Sequence, residues 1–169
     1  MNKEILIICR GGGDLATGIV HRLFRAGYQV LILETAEPAA IRRQVSFCEA
    51  VYEGTATVEG VTAERIYTAK KQAVEEVLQR GRIPLLVDPD GRSIEVLKPD
   101  VVVDAIIAKK NLGTYKEMAP LVIGIGPGFV AGKDVHLVVE SMRGHNLARI
   151  LETGSALANT GIPGNIGGY

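Results

Sequence analysis

Three consecutive glycines near the N-terminus constrain the fold of this chain more than any other feature. Gly11, Gly12 and Gly13 follow an apolar run at residues 5–9 that is rich in β-branched side chains and shows no alternation. Such a run is typical of a parallel strand covered on both faces. An amphipathic helical pattern opens at Asp14, directly after the glycines. The glycines therefore predict a tight turn between a buried strand and a helix.

A second apolar run completes a βαβ unit, because residues 30–33 form another short strand pattern that ends at Glu34. The turn fits the pattern G-x-G-x-x-G/A, whose second glycine, here Gly13, lets the backbone approach a pyrophosphate. The small third residue, Ala16, allows close packing of helix on strand. Glu34 stands where such folds hold a ribose hydroxyl. The sequence predicts an α/β fold with a Rossmann-like parallel sheet and a phosphate-bearing small-molecule ligand.

The rest of the chain continues the alternation of strands and helices. Helices are predicted at residues 38–44, 69–80 and 146–152. Strands are predicted at residues 84–88, 94–97, 101–107, 121–128 and 134–140, with less regular strand-and-turn structure at residues 45–67. We divide the chain into a Rossmann-like domain over residues 1–120 and a glycine-rich C-terminal segment over residues 121–169, which packs on the first or continues it.

Composition excludes several classes of partner. Lys and Arg number 19, as do Asp and Glu, so no excess of positive charge favours a nucleic acid or an anionic membrane. Aromatic residues make up 5% of the chain, which offers few surfaces for base stacking. No apolar run approaches the length of a membrane helix or signal peptide, so we expect a cytoplasmic protein. The two cysteines, Cys9 and Cys48, predict no disulfide framework, and Cys9 is expected to be a small buried side chain.

Several charged residues bear on the ligand of the glycine turn. Asp14 favours the helix dipole but competes with a bound anion, and it is also compatible with an ordinary N-cap. Arg10, between the strand and the glycines, offers a positive charge that could meet a phosphate. Arg42 and Arg43 either favour a 2′-phosphate or lie on a solvated face.

Asp104 is a second candidate ligand contact. It lies within the predicted strand 101–107 and is followed by Lys109 and Lys110. Open α/β sheets bind ligands at the carboxyl ends of their strands, where these residues fall. Lysines there could hold a phosphate, but paired lysines after a strand are usually just solvated.

A second glycine cluster follows the predicted strand at residue 121. Gly124, Gly126 and Gly128 stand at alternate positions. Such glycines either form a nest of N–H groups around an anion or make a tight structural turn, and the residues do not decide between the two.

Metal and nucleophile motifs are missing from the sequence. Asp134, His136 and Glu140 share one face of a predicted strand and His145 follows, but their spacing matches no common ligand set, so we expect no metal site. The chain has no Gly-x-Ser-x-Gly elbow, no Walker A lysine and no Cys-x-x-Cys pair. Catalytic residues, and catalysis itself, therefore remain unassigned.

Longer motifs carry a family resemblance. They lie at residues 10–18, 40–47, 49–54, 124–129, 143–149 and 159–164. Together they resemble the selenium-dependent molybdenum hydroxylase system proteins, the YqeB family, across essentially the whole chain. The family in turn is distantly similar to the Rossmann part of XdhC-type accessory proteins, which help to insert or sulfurate molybdenum cofactor. Known members continue past the last of these motifs, whereas this sequence ends at Tyr169.

The resemblance implies an accessory role in the maturation of a selenium-dependent molybdenum hydroxylase. The implied cofactor is molybdenum cofactor or a nucleotide form of it, and the implied partner is the hydroxylase. The family motifs mark functional positions without assigned roles: Gly11, Gly13, Asp14, Gly126, Gly128, Arg143 and His145.

Other functions stay open beside this one. The residues alone also fit a small NAD(P)-dependent oxidoreductase with Glu34 on the ribose, so the cofactor is undecided. A scaffold that docks the hydroxylase and a homo-oligomer are both compatible with the sequence, as is a persulfide or selenide on Cys9 or Cys48.

Overall fold

The computed structural model describes residues 4–158 of the chain. Its strands are β1 (Leu6–Arg10), β2 (Gln29–Glu34), β3 (Thr55–Val58), β4 (Val61–Ile66), β5 (Ile83–Val87), β6 (Val101–Asp104), β7 (Leu121–Ile125), β8 (Leu137–Val139) and β9 (Ile150–Leu151). Its α-helices are α1 (Asp14–Arg25), α2 (Ala50–Glu53), α3 (Lys71–Gln79) and α4 (Ser93–Leu97). The last family motif, residues 159–164, lies outside the described residues.

The strands form one open sheet in the order β3-β4-β5-β2-β1-β6-β7-β8-β9. The seven strands from β4 to β8 in this order are parallel, and β3 and β9 pair antiparallel at the two edges. β7, the first strand of the predicted C-terminal segment, pairs with β6 in the same sheet. The prediction of an α/β fold with a Rossmann-like parallel sheet and an N-terminal βαβ unit is confirmed.

Successive side chains of the central strands point to opposite faces of the sheet and so build two cores, one on each face. Ile7 and Cys9 of β1 point into the core beneath α1, whereas Ile8 points into the core beneath α3. Within α1, Ala16 and Val20 are buried against the first core. This two-sided burial explains why the central strands are apolar without alternation. Within residues 4–158, no helix is long and apolar enough to cross a membrane.

Three predicted elements have a different structure. Residues 94–97 lie in α4 rather than in a strand, because the Asp88 carboxylate accepts the N–H groups of Arg92 and Ser93 and so starts a helix. Residues 146–152 are a turn followed by β9 rather than a helix, because Ile150 pairs with Val139 of β8.

Residues 38–44 form no α-helix. Two single 3₁₀ turns, Arg43–Val45 and Phe47–Glu49, instead lead into α2. The side chains of Arg42 and Arg43 here bond to Asp14 and Glu49, and these tertiary contacts override the local helical pattern.

Candidate functional site

A cleft lies where the order of the strands reverses. From β1 the chain moves to β2, β4 and β5 on one side, and it then crosses to β6 on the other side. In open α/β sheets the crevice at this switch point, outside the carboxyl ends of the strands, is the usual ligand site. The cleft has a volume of about 640 Å³. It is lined by the segments 11–16, 34–42 and 105–107, which follow β1, β2 and β6, and by Cys48.

The glycines of the turn have different packing environments. Gly11 has φ +101°, and a Cβ on it would lie 3.0 Å from the carbonyl oxygen of Ala105. A Cβ on Gly12 would lie 3.2 Å from the backbone nitrogen of Cys48. A Cβ on Gly13 would meet no atom within 4 Å. Gly11 is therefore required by its backbone conformation and its close packing, Gly12 has little room for a side chain, and Gly13 leaves open space beside the cleft.

The first turn of α1 presents unpaired backbone donors. The first helical bond runs from Thr17 N–H to the carbonyl of Gly13. The N–H groups of Gly13, Asp14 and Ala16 donate no hydrogen bond within residues 4–158. Such donors, together with the partial positive charge of the helix end, form a binding site for anions.

Glu34 lies beside these donors at the end of β2, where the sequence predicts it. Its Oε2 accepts the Gly12 N–H at 2.7 Å, and its Oε1 accepts the Thr35 N–H at 2.8 Å. Because each carboxylate oxygen has two lone pairs, each can still accept a hydroxyl from a ligand. Glu34 thus both fixes the turn and faces the cleft.

Asp14 is the first residue of α1 and not its N-cap, which is Gly13. The N-cap interpretation of Asp14 is therefore wrong. Its Oδ1 accepts the Leu15 N–H at 3.0 Å, and its Oδ2 pairs with Arg42 Nη1 at 2.8 Å. Arg42 lines the cleft, whereas the side chain of Arg43 pairs with a carboxylate outside it.

Arg10 is buried, and its side chain does not reach the glycine turn. Its Nη1 donates to Thr114 Oγ1 at 2.5 Å, and its Nη2 donates to the carbonyl of Pro89 at 2.9 Å. It also pairs with the Asp104 carboxylate at 3.9 Å. The expectation that Arg10 meets a phosphate at the turn is wrong, because Arg10 stands on the opposite face of β1 from Cys9 and α1.

Asp104 belongs to the same buried group rather than to the wall of the cleft. Its Oδ2 accepts the Thr114 hydroxyl at 2.6 Å, and its Oδ1 accepts the Ile106 N–H at 3.1 Å. The loop that Asp104 holds in this way lines the cleft. In that loop Ile107 has φ +59°, a strained conformation for a β-branched residue. Direct contact of Asp104 with a ligand stays a prediction.

The second glycine cluster is closely packed. A Cβ on Gly124 would lie 2.5 Å from the ring of Phe129, and one on Gly128 would lie 2.8 Å from the backbone of Lys110. Gly126 has φ +83°. None of these glycines lines the cleft in the described structure. This packing fits the structural-turn interpretation, and a role in anion binding stays a prediction.

Arg143 and His145 lie in an exposed loop after β8. The loop is at the same edge of the sheet as the cleft, because β8 is parallel to β7, but neither residue lines the cleft. Their functional role stays a prediction.

Residues 4–158 contain no group of three His, Cys, Asp or Glu side chains able to hold a metal ion. Two of the three residues predicted to share one strand face, His136 and Glu140, have backbone partners instead. His136 Nδ1 accepts the Val122 N–H at 2.9 Å, and the two oxygens of Glu140 accept the N–H groups of Met142 and Leu157.

Cys48 lines the cleft, although the sequence did not indicate that it lies there. Its N–H donates to the carbonyl of Gly12 at 2.8 Å, which brings a residue more than 30 positions away against the turn. Burial and the nearby Glu34 and Glu49 carboxylates raise the pKa of the Cys48 thiol to about 11. Cys48 is therefore a neutral thiol at neutral pH. No local pattern around it signals this position.

The open parallel sheet, the glycine turn at a helix N-terminus and the cleft at the switch point define a Rossmann-like α/β protein with a ligand-sized site. The chain is 50% identical over 164 residues to a protein of Escherichia coli (strain K12) named "Uncharacterized protein YqeB". The match covers 97% of this chain and 30% of that protein, so the chain spans less than a third of the relative's length. This similarity supports the kinship with the YqeB family. No family model matches the chain, and no solved structure matches it.

Proposed function

We propose that the cleft binds a phosphate-bearing ligand of the nucleotide type. The observation that carries this proposal is the position of the unpaired amides of Gly13, Asp14 and Ala16 at the mouth of a cleft at the switch point. The volume of about 640 Å³ lies within the range of small-molecule sites. A phosphate on these amides would leave a sugar hydroxyl within the reach of Glu34.

The wider role that we propose is assistance in the maturation of a selenium-dependent molybdenum hydroxylase, with molybdenum cofactor or its nucleotide form as the ligand. The resemblance of the motifs supports this role. The cleft offers such a ligand the free amides of the helix end and the carboxylate of Glu34.

A small NAD(P)-dependent oxidoreductase is the second candidate. The position of Glu34 at the end of β2 favours it, because an acid there holds the ribose of NAD. The two candidates differ in the ligand that saturates the protein. They share the phosphate site on the turn.

Anaerobic isothermal titration with molybdopterin, molybdopterin dinucleotides, NAD and NADP tests both candidates. Gly13→Val should abolish binding, because the added side chain enters the space beside the free amides. It should change the free energy of unfolding by less than about 1 kcal/mol, because no atom lies within 4 Å of the added Cβ. Gly18→Val is the matched control, since Gly18 lies in α1 with equally open surroundings and does not line the cleft.

Saturation by a molybdopterin species would support the accessory role. Saturation by NAD alone would replace that role with the oxidoreductase. If no compound binds, or if Gly13→Val binds as well as Gly18→Val, the phosphate site is not on the glycine turn.

A further inference from the structure

The charges that line the cleft are mostly negative. Asp14, Glu34 and Glu37 contribute carboxylates, and Arg42 is the one cation among the described lining residues. Arg42 is paired with Asp14, so the lining that residues 4–158 form offers an approaching anion two further carboxylates and no unpaired cation. The donors of the helix end attract a phosphate while the side chains around them repel it.

The Asp14–Arg42 ion pair is weak enough for a bound anion to replace Asp14 as the partner of Arg42. The side chains are 37% and 69% exposed, respectively, and exposed ion pairs contribute little to folding stability. Asp14 is anchored on α1, since its other oxygen accepts the Leu15 N–H. Among the described residues, the Arg42 side chain makes its ion pair and its hydrogen bond to Asp14 alone. The guanidinium is therefore held at the helix N-terminus by one replaceable contact.

We propose that Asp14 and Arg42 form an exchangeable clamp on the anion. Without ligand, the Asp14 carboxylate holds Arg42 beside the free amides. A phosphate seated on the amides of Gly13 and Ala16 takes the guanidinium from Asp14, because a phosphate accepts two parallel hydrogen bonds from it, whereas Asp14 accepts one and uses its other oxygen for the Leu15 N–H. Arg42 is then the residue that recognises the phosphate, and Asp14 is the residue that opposes it. This inference rests on the proposed phosphate site.

The neighbouring arginine provides a matched control. Arg43 makes two hydrogen bonds to Glu49, each 2.8 Å long, and does not line the cleft. Arg43→Gln and Arg42→Gln remove the same charge at adjacent positions, one outside the cleft and one inside it.

Titration of ¹⁵N-labelled protein with inorganic pyrophosphate at low ionic strength tests the clamp through the amide signals of residues 13, 14 and 16. Asp14→Asn should tighten binding about 2- to 5-fold, because it removes a negative charge at the helix N-terminus and releases Arg42. Arg42→Gln should weaken binding at least about 3-fold. Asp14→Asn should have a smaller effect in the Arg42→Gln background, and Arg43→Gln should leave affinity unchanged. Thermal melts report whether each variant is folded.

The outcomes separate the clamp from the proposed function. If the wild-type amides respond but Asp14→Asn binds equally or more weakly, or Arg42→Gln binds as tightly as Arg43→Gln, the clamp is overturned and the phosphate site stands. If neither the wild-type protein nor Asp14→Asn binds pyrophosphate, the clamp and the proposed phosphate site both fail.

Discussion

At the scale of single residues, the Glu34 carboxylate affects both the glycine turn and a neighbouring thiol. Glu34 accepts two backbone N–H groups and fixes the turn, and the same carboxylate helps to keep the neighbouring Cys48 thiol neutral. Cys9 stands nearby on β1 but is fully buried, and burial raises its pKa far above the ordinary range. Cys48 is buried as well, at 1% exposure, but it borders the cleft, whereas Cys9 does not.

The reactivity of Cys48 should follow its raised pKa. We expect slow alkylation by iodoacetamide at pH 8, because the side chain is buried beside the cleft and only the thiolate reacts, and a rate that rises until about pH 11. Glu34→Gln should raise the rate at pH 8 several-fold, because it removes a negative charge that disfavours the thiolate. Mass spectrometry of the two cysteine peptides measures both rates, and Cys9 should remain unmodified in the folded protein.

Glu37→Gln is the control for this experiment, since Glu37 also lines the cleft, whereas the carboxylates that raise the pKa of Cys48 are those of Glu34 and Glu49. Equal rates in the two variants would contradict the assigned effect of Glu34.

The raised pKa of Cys48 also makes the stability of the folded protein depend on pH. Unfolded thiols ionise at a lower pH than Cys48 in the folded protein, so its contribution to folding is present below the ordinary thiol pKa and is lost as pH rises towards about 11.

At the scale of elements, the turns after β1 and β7 look alike in sequence and differ in surroundings. Gly13 follows β1 and opens onto the cleft, whereas Gly124 lies within β7 against the ring of Phe129. A run of spaced glycines after a strand therefore has two uses, ligand access in one case and close packing in the other.

Gly124→Ala should lower the free energy of unfolding by about 1–3 kcal/mol, because its Cβ would lie 2.5 Å from the Phe129 ring and the core must shift to admit it. Urea denaturation followed by circular dichroism measures the change. Gly18→Ala should instead raise stability by up to about 1 kcal/mol, since Gly18 is a helical residue with open surroundings. An unchanged midpoint for Gly124→Ala would contradict the packing role.

At the scale of the whole molecule, one buried arginine connects three strand ends. Arg10 at the end of β1 bonds to Pro89 after β5, to Thr114 in the loop after β6, and pairs with Asp104 of β6. Charge-assisted bonds therefore join the strand ends at the switch point, and the loop after β6 that lines the cleft depends on them.

Arg10→Met should lower the free energy of unfolding by about 3–5 kcal/mol, because it leaves the Asp104 carboxylate buried without its cation. Denaturant titration measures this loss. Arg92→Met is the comparison, since Arg92 pairs with Asp90 in solvent, and that variant should unfold as the wild-type protein does. A similar small effect of both substitutions would show that the buried group does not hold the sheet together.

The sequence by itself determined the βαβ unit, the glycine turn and the place of Glu34, because each follows from a pattern within about 35 adjacent residues. The tertiary structure decided which residues share the cleft. Gly12 meets Cys48, Gly11 meets Ala105, and Arg42 reaches Asp14 only when the sheet is assembled. Pairing with β8 turned residues 146–152 into a turn and a strand, and the tertiary fold supplied Thr114 as the partner of Arg10 on the face of β1 opposite the turn. Local periodicity records which face of an element is apolar, whereas the partner of each side chain depends on strand order, which lies beyond any local pattern.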